Sequence, residues 1–158
     1  MTLREKQRCK IHILNGPNLN LLGIREPQIY GKIGYEELTG RLREYASARE
    51  IEVVILQSNH EGALVDAIQN AYREGADGII LNPAAYTHTS IALFDALSAV
   101  GLPTVEVHLS DVDHREDFRR INYIRPACFA TISGRGIQGY FDALDLLAEK
   151  VTKHEDRL

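Results

Sequence analysis

Five short apolar runs, kept apart by helix-like stretches or polar connections, limit what this chain can fold into. They are Lys10-Ile11-His12-Ile13-Leu14, Glu52-Val53-Val54-Ile55-Leu56, Asp77-Gly78-Ile79-Ile80-Leu81, Pro103-Thr104-Val105-Glu106-Val107-His108-Leu109 and residues 127–132. Each is short, and the first four are rich in Val, Ile and Leu, as buried strands are. Residues 35–49 carry Leu38, Leu42 and Tyr45 at helical spacing. A second helix, capped by Ser58 or Asn59, runs to Gly75 with Leu64, Ile68, Ala71 and Tyr72 inward. A third spans 90–100 and is stopped by Gly101. Residues 110–120 are polar and hold one short helical turn at most, and 140–153 close the fold with Leu144, Leu147 and Val151 inward.

Strands alternating with helices of this length imply right-handed crossovers and a mostly parallel sheet covered on both faces. The expected architecture is α/β, a flavodoxin-like three-layer sandwich with a five-stranded parallel sheet in the order 2-1-3-4-5. In such sheets ligands bind beyond the C-terminal strand ends. Polar residues stand there: Asn15-Gly16-Pro17-Asn18 after strand one, Asn82 to His88 after strand three, and Glu106, His108 and Ser110 on strand four. At 158 residues the chain reads as one domain, 1–158, with polar tails at 1–9 and 154–158. Its formal charge of -4 argues against general affinity for nucleic acid or anionic membrane and leaves a small molecule as the expected partner. Cys9 and Cys128 lack CxxC spacing, so neither a disulfide framework nor a zinc site is expected. The first residues do not read as a secretory signal and no run approaches transmembrane length, so a cytoplasmic location is expected.

The segment after strand one, residues 15–31, reads as a long surface excursion. Gly16, Pro17, Gly23, Pro27 and Gly31 keep it out of a helix or a central strand. Leu19, Leu21, Leu22, Ile24 and Ile29 require something to pack against, which points to an active-site lid over 18–31 carrying Arg25 and Tyr30. Those two read either as a surface Tyr beside a solvated Arg or as a phenolate base held by a cation. An unperturbed Tyr titrates near pH 10, and lowering that by about three pH units costs about 4 kcal/mol. One cation about 4 Å away, at an effective dielectric near 20, supplies about that much.

Glu106 and His108 alternate on one strand and so point to one face. They read as a structural pair, as a general acid oriented by its carboxylate, or, with His88, as metal ligands without HxxH or HxH spacing. Asn18 and Asn82 are turn residues or donors to a hydroxyl or oxyanion. Arg115 and Arg119 share a helical face, solvated or facing a carboxylate. His12 reads as core or edge packing, and His60 as a cap or subunit contact. Neither GxGxxG nor GxxxxGK[ST] is present, which disfavours dinucleotide and nucleoside triphosphate ligands. The residues alone describe a small-molecule enzyme with acid–base chemistry and no cofactor. The alternative is a catalytically inactive flavodoxin-like small-molecule binding module.

Long motifs in order narrow this further: residues 14–23 (LNGPNLNLLG), Arg25-Glu26-Pro27 with Tyr30-Gly31, residues 57–62 (QSNHEG), Asn82-Pro83 with residues 86–90 (YTHTS), residues 106–110 (EVHLS) and residues 136–140 (GIQGY). From 11 to about 151 the chain resembles the type II 3-dehydroquinate dehydratases. The resemblance implies removal of water from 3-dehydroquinate to give 3-dehydroshikimate, without metal, cofactor or Schiff base. It implies Tyr30 as the base at C2, Arg25 with Arg115 keeping it ionised, Asn18 holding the water that stabilises the enolate, and His108, oriented by Glu106, as the acid. It implies substrate contacts from Asn82, His88, Arg119 and the amides of Leu109 and Ser110, with Asp95 reaching an adjacent subunit's site. It also implies a homo-oligomer, a dodecamer of four trimers. Asp111, Ala84 and Ile121-Asn122 depart from the family's usual Asn, Gly and His-Ser, and Asp111 is expected to point away from ligand because a nearby carboxylate would repel the substrate's own.

Overall fold

The computed structural model describes residues 8–24, 28 and 32–155. Five strands, β1 (Lys10–Asn15), β2 (Glu52–Gln57), β3 (Gly78–Asn82), β4 (Thr104–His108) and β5 (Ala130–Ser133), form one parallel sheet in the order β2-β1-β3-β4-β5. This is the expected order. The central strands β3 and β4 are buried throughout, while the edge strands β2 and β5 are partly exposed.

The period of two along each strand divides the core into two layers. Ile11, Ile13, Ile80, Val105 and Val107 meet Leu38, Leu42 and Ala46 of α1 (Tyr35–Ala48) and Tyr140, Leu144 and Leu147 of α4 (Gln138–Glu155). Leu14, Ile79 and Leu81 meet Leu64 and Ile68 of α2 (Glu61–Arg73) and Leu93 and Leu97 of α3 (Ile91–Val100). Ser90 Oγ accepts the Leu93 N–H, 3.0 Å, at the start of α3, and Gly101 ends that helix in the left-handed conformation. His12 is buried, 3.3 Å from Glu74, and burial lowers its pKa from the usual histidine value.

Four expectations need correction. Residues 110–120 hold two short 3-10 turns, Val112–His114 and Asp117–Arg119, rather than one at most, and Arg115 stands between them on extended backbone instead of sharing a helical face with Arg119. The fifth strand starts at Ala130 rather than 127, because Arg125–Ala127 forms a short 3-10 turn across the start of the apolar run. Tyr72 is 61% exposed, although helical spacing put it in the inward stripe. At the start of α2 the N-cap is His60, whose side chain makes no capping bond, and Ser58 Oγ instead accepts the His60 N–H at 3.0 Å. Among the described residues no helix is long and apolar enough to cross a membrane.

Candidate active site

The ends of β1 and β3 lie close enough that only glycine fits at 16: a Cβ there would stand 2.5 Å from the Pro83 carbonyl oxygen. Gly16 N–H donates to the Asn82 carbonyl at 2.8 Å, tying the two strand-end loops together. Beyond Gly16, Asn18 adopts a left-handed backbone that asparagine tolerates, and its N–H donates to Asn59 Oδ1, 3.0 Å. Across the seam Ala84 is also left-handed, φ 50°, at a cost of about 1 kcal/mol for a residue with a Cβ.

These loops and the end of β4 enclose a cavity lined by Asn18, Asn82, His88, His108, Leu109, Ser110, Arg115 and Arg119. Eight of the residues singled out from the sequence therefore meet in one place. Glu106 sits behind His108 on the same face of β4, fully buried. The His108 Nε2 is 3.1 Å from Glu106 Oε2 but is not aligned as a hydrogen bond, and it is buried with no other hydrogen-bond partner among the described residues. Such bonds often tighten only once substrate is present.

Beneath the cavity runs a buried relay. Asn82 Nδ2 donates to Tyr140 Oη at 2.9 Å, and Tyr140 Oη donates to Asn15 Oδ1 at 2.6 Å. Burial pushes the Tyr140 pKa upward, so it stays a neutral donor, and the Ala84 N–H fixes Asn82 Oδ1 at 3.2 Å. His88 Nδ1 lies 2.7 Å from the Ile121 carbonyl, which can only accept, so Nδ1 carries the proton. Burial, chiefly, lowers the His88 pKa, and nearby Arg119 adds to the shift, so Nε2 is left as an acceptor in the neutral ring. Arg119 Nε is held by Glu116 at 2.7 Å, and Arg115 Nε is 3.7 Å from the same carboxylate.

Asp95 is exposed on α3 and does not line this cavity. Asp111 does not line it either: its carboxylate accepts the Asp113 N–H at 3.2 Å and contacts His114 Nδ1 at 2.6 Å. Arg25 and Tyr30, with the lid expected to carry them, lie outside the described residues apart from 18–24 and 28. Among the described residues no group of three His, Cys, Asp or Glu side chains is arranged to hold a metal ion.

Residues 9–148 match the sequence profile of the family Dehydroquinase class II. The chain belongs to the class II dehydroquinase family. It is 51% identical over 140 residues to a 3-dehydroquinate dehydratase of Caldicellulosiruptor bescii, covering 89% of this chain and 97% of the relative. It is 52% identical over 145 residues to 3-dehydroquinate dehydratase 1 of Ralstonia nicotianae, covering 92% and 93%. The crystal structure of a type II dehydroquinase from Butyrivibrio crossotus superposes with a TM-score of 0.88 at 51% identity, over 89% of this chain and 98% of that one. A galactofuranose binding protein, at 13% identity and a TM-score of 0.51, shares the fold alone.

In this class II dehydroquinase chain the sequence places Asn15 among the polar strand-end residues without giving it a role in the site, and it gives Tyr140 none. Asn15 could have been found as a polar residue ending a strand whose neighbours on both sides are strands, since such a group needs an internal partner. The sequence marks Asn122 only as a departure, and no local signal connects Asn122 to Glu106.

Proposed function

We propose that this protein catalyses the reversible dehydration of 3-dehydroquinate to 3-dehydroshikimate, a step of the shikimate pathway, by anti elimination through an enolate. The observation that carries this reading is the buried Glu106–His108 pair facing a cavity that also holds Asn18, Arg115 and Arg119, in a chain of this family. The C2 hydrogen beside the substrate ketone is weakly acidic, so the reaction needs a strong base, a stabilised oxyanion and an acid for the leaving hydroxyl.

Tyr30, as phenolate beside Arg25, takes the C2 proton, and the C–H electron pair becomes an enolate. Its oxygen is stabilised by a water that Asn18 holds. As the enolate collapses, the C1–C2 double bond forms, the C1–O bond breaks, and the oxygen leaves as water with a proton from His108. Arg115 is the second cation serving the phenolate, while Asn82, His88, Arg119 and the amides of Leu109 and Ser110 hold the substrate's hydroxyls and carboxylate. The roles of Tyr30 and Arg25 rest on their place in the family motif.

The working form is a homo-oligomer of four trimers in the cytoplasm. The exposed position of Asp95, outside its own subunit's cavity, suits a contact with the next subunit. The test follows the enone absorbance of the product as the protein meets 3-dehydroquinate. Turnover should survive borohydride and vanish in Tyr30→Phe. A protein that binds the substrate without turning it over would instead be a binding module.

A further inference from the structure

We propose that Asn122 is a positioning residue for the acid: its side-chain amide pins the Glu106 carboxylate as a pure acceptor and thereby holds His108 as the protonated partner of the pair. This rests on the dehydratase reading for its consequence in catalysis, though not for its geometry.

The orientation of the Asn122 amide is fixed from both ends. Its Oδ1 accepts the backbone N–H groups of Ile124 and Arg125, each at 2.9 Å, so the end facing Glu106 is the NH2 group. That Nδ2 lies 2.8 Å from both Glu106 Oε1 and Oε2. An NH2 group can only donate, so a protonated Glu106 would find no acceptor there, whereas a carboxylate is satisfied. Glu106 is fully buried, and a carboxylate without donors in such a place is costly. Asn122 itself is held on both sides, because the Ile121 carbonyl accepts from His88 Nδ1 at 2.7 Å and the Tyr123 N–H donates to the Thr87 carbonyl at 3.0 Å.

The surrounding charges show why the pin matters. On the cavity side stand His88, Arg115 and Arg119, and the two arginines work against a further positive charge on His108. On the other side is Cys128, whose thiol burial pushes up to about 12 and which is therefore neutral. Glu106 offsets the arginines only while it is ionised and close to His108; Asn122, donating to both carboxylate oxygens, favours the ionised form and fixes the carboxylate with its Oε2 3.1 Å from His108 Nε2.

The experiment compares the full-length wild type with Asn122→Ala and Asn122→Ser. It follows the His108 ring by NMR titration, assigned through His108→Ala, together with kcat against pH. Asn122→Ala removes the donor to Glu106. In Asn122→Ser the hydroxyl can still accept the Ile124 and Arg125 amides but reaches Glu106 less well, so that variant carries the test if the alanine variant does not fold. Asn122→Ala should lower the His108 midpoint by about half a pH unit or more and move the basic limb of kcat down with it. It should cut kcat about tenfold or more while KM stays within about threefold, with Asn122→Ser intermediate. An unchanged His108 midpoint in a folded variant overturns the proposal, as does a fall in kcat with an unshifted pH profile, which would assign Asn122 to its turn alone. If the titrations shift as expected but the wild type forms no enone, the dehydratase reading fails and the link from Asn122 through Glu106 to His108 stands.

Discussion

Asn15, Asn82, Glu106 and His108 reach the cavity region from the ends of β1, β3 and β4 with at most 4% of their surface exposed. Asn18, Arg115 and Arg119 reach the same cavity from irregular segments and keep more contact with solvent. The strand-borne groups sit between layers of apolar side chains, so most of their polar atoms are matched internally: Asn15 and Asn82 through Tyr140, and Glu106 through Asn122. The loop-borne groups can exchange protein partners for water or ligand, as Arg119 can exchange Glu116. Burial thus makes one half of the site a fixed frame, and exposure leaves the other half a charged surface free to exchange its partners.

Substitutions at four positions sharpen that contrast. Removing the proposed acid with His108→Ala should lower kcat by about a thousandfold with KM little changed, as loss of a general acid does; steady-state kinetics alongside a thermal melt check this. On the loop-borne side, Arg119→Ala should act mainly on KM, raising it by about tenfold to a hundredfold, in line with loss of a charged hydrogen bond. A larger effect on kcat than on KM would blur the division between the halves. Tyr140→Phe strips the shared partner from Asn15 and Asn82 and should destabilise the fold by about 1–3 kcal/mol in denaturant titrations, with a smaller effect on turnover. The smallest effect is expected at the seam, where Ala84→Gly relieves the left-handed backbone and should stabilise by about 1 kcal/mol or less.

The frame was the more legible half. Short, mostly apolar runs such as 77–81 and 103–109, separated by helices, indicate a parallel sheet covered on both faces, and the C-terminal strand ends then select Asn18, Asn82, Glu106 and His108 as neighbours. The fifth strand was misplaced because a Pro-containing turn interrupts an otherwise apolar stretch, and Tyr72 was misassigned because helical spacing alone does not show where a helix overhangs its layer. Contacts over long sequence separations left no local trace: Tyr140 is 125 residues from Asn15. Asn122 is 16 residues from Glu106, across a polar stretch with no regular period. Arg25 and Tyr30 lie outside the described residues, and the roles proposed for them rest on motif resemblance, because a Tyr five residues after an Arg is by itself compatible with either reading.

The central claim of the proposed mechanism is that the two proton transfers belong to different residues, the base being Tyr30 and the acid His108 on β4. Deuterium uptake at C2 of 3-dehydroquinate in heavy water, measured in His108→Ala and Tyr30→Phe, separates them most directly. The account predicts that His108→Ala incorporates deuterium at C2 faster than it forms enone, and that Tyr30→Phe does neither above background. Incorporation at equal rates in both variants, or enone formation surviving in Tyr30→Phe, would contradict it.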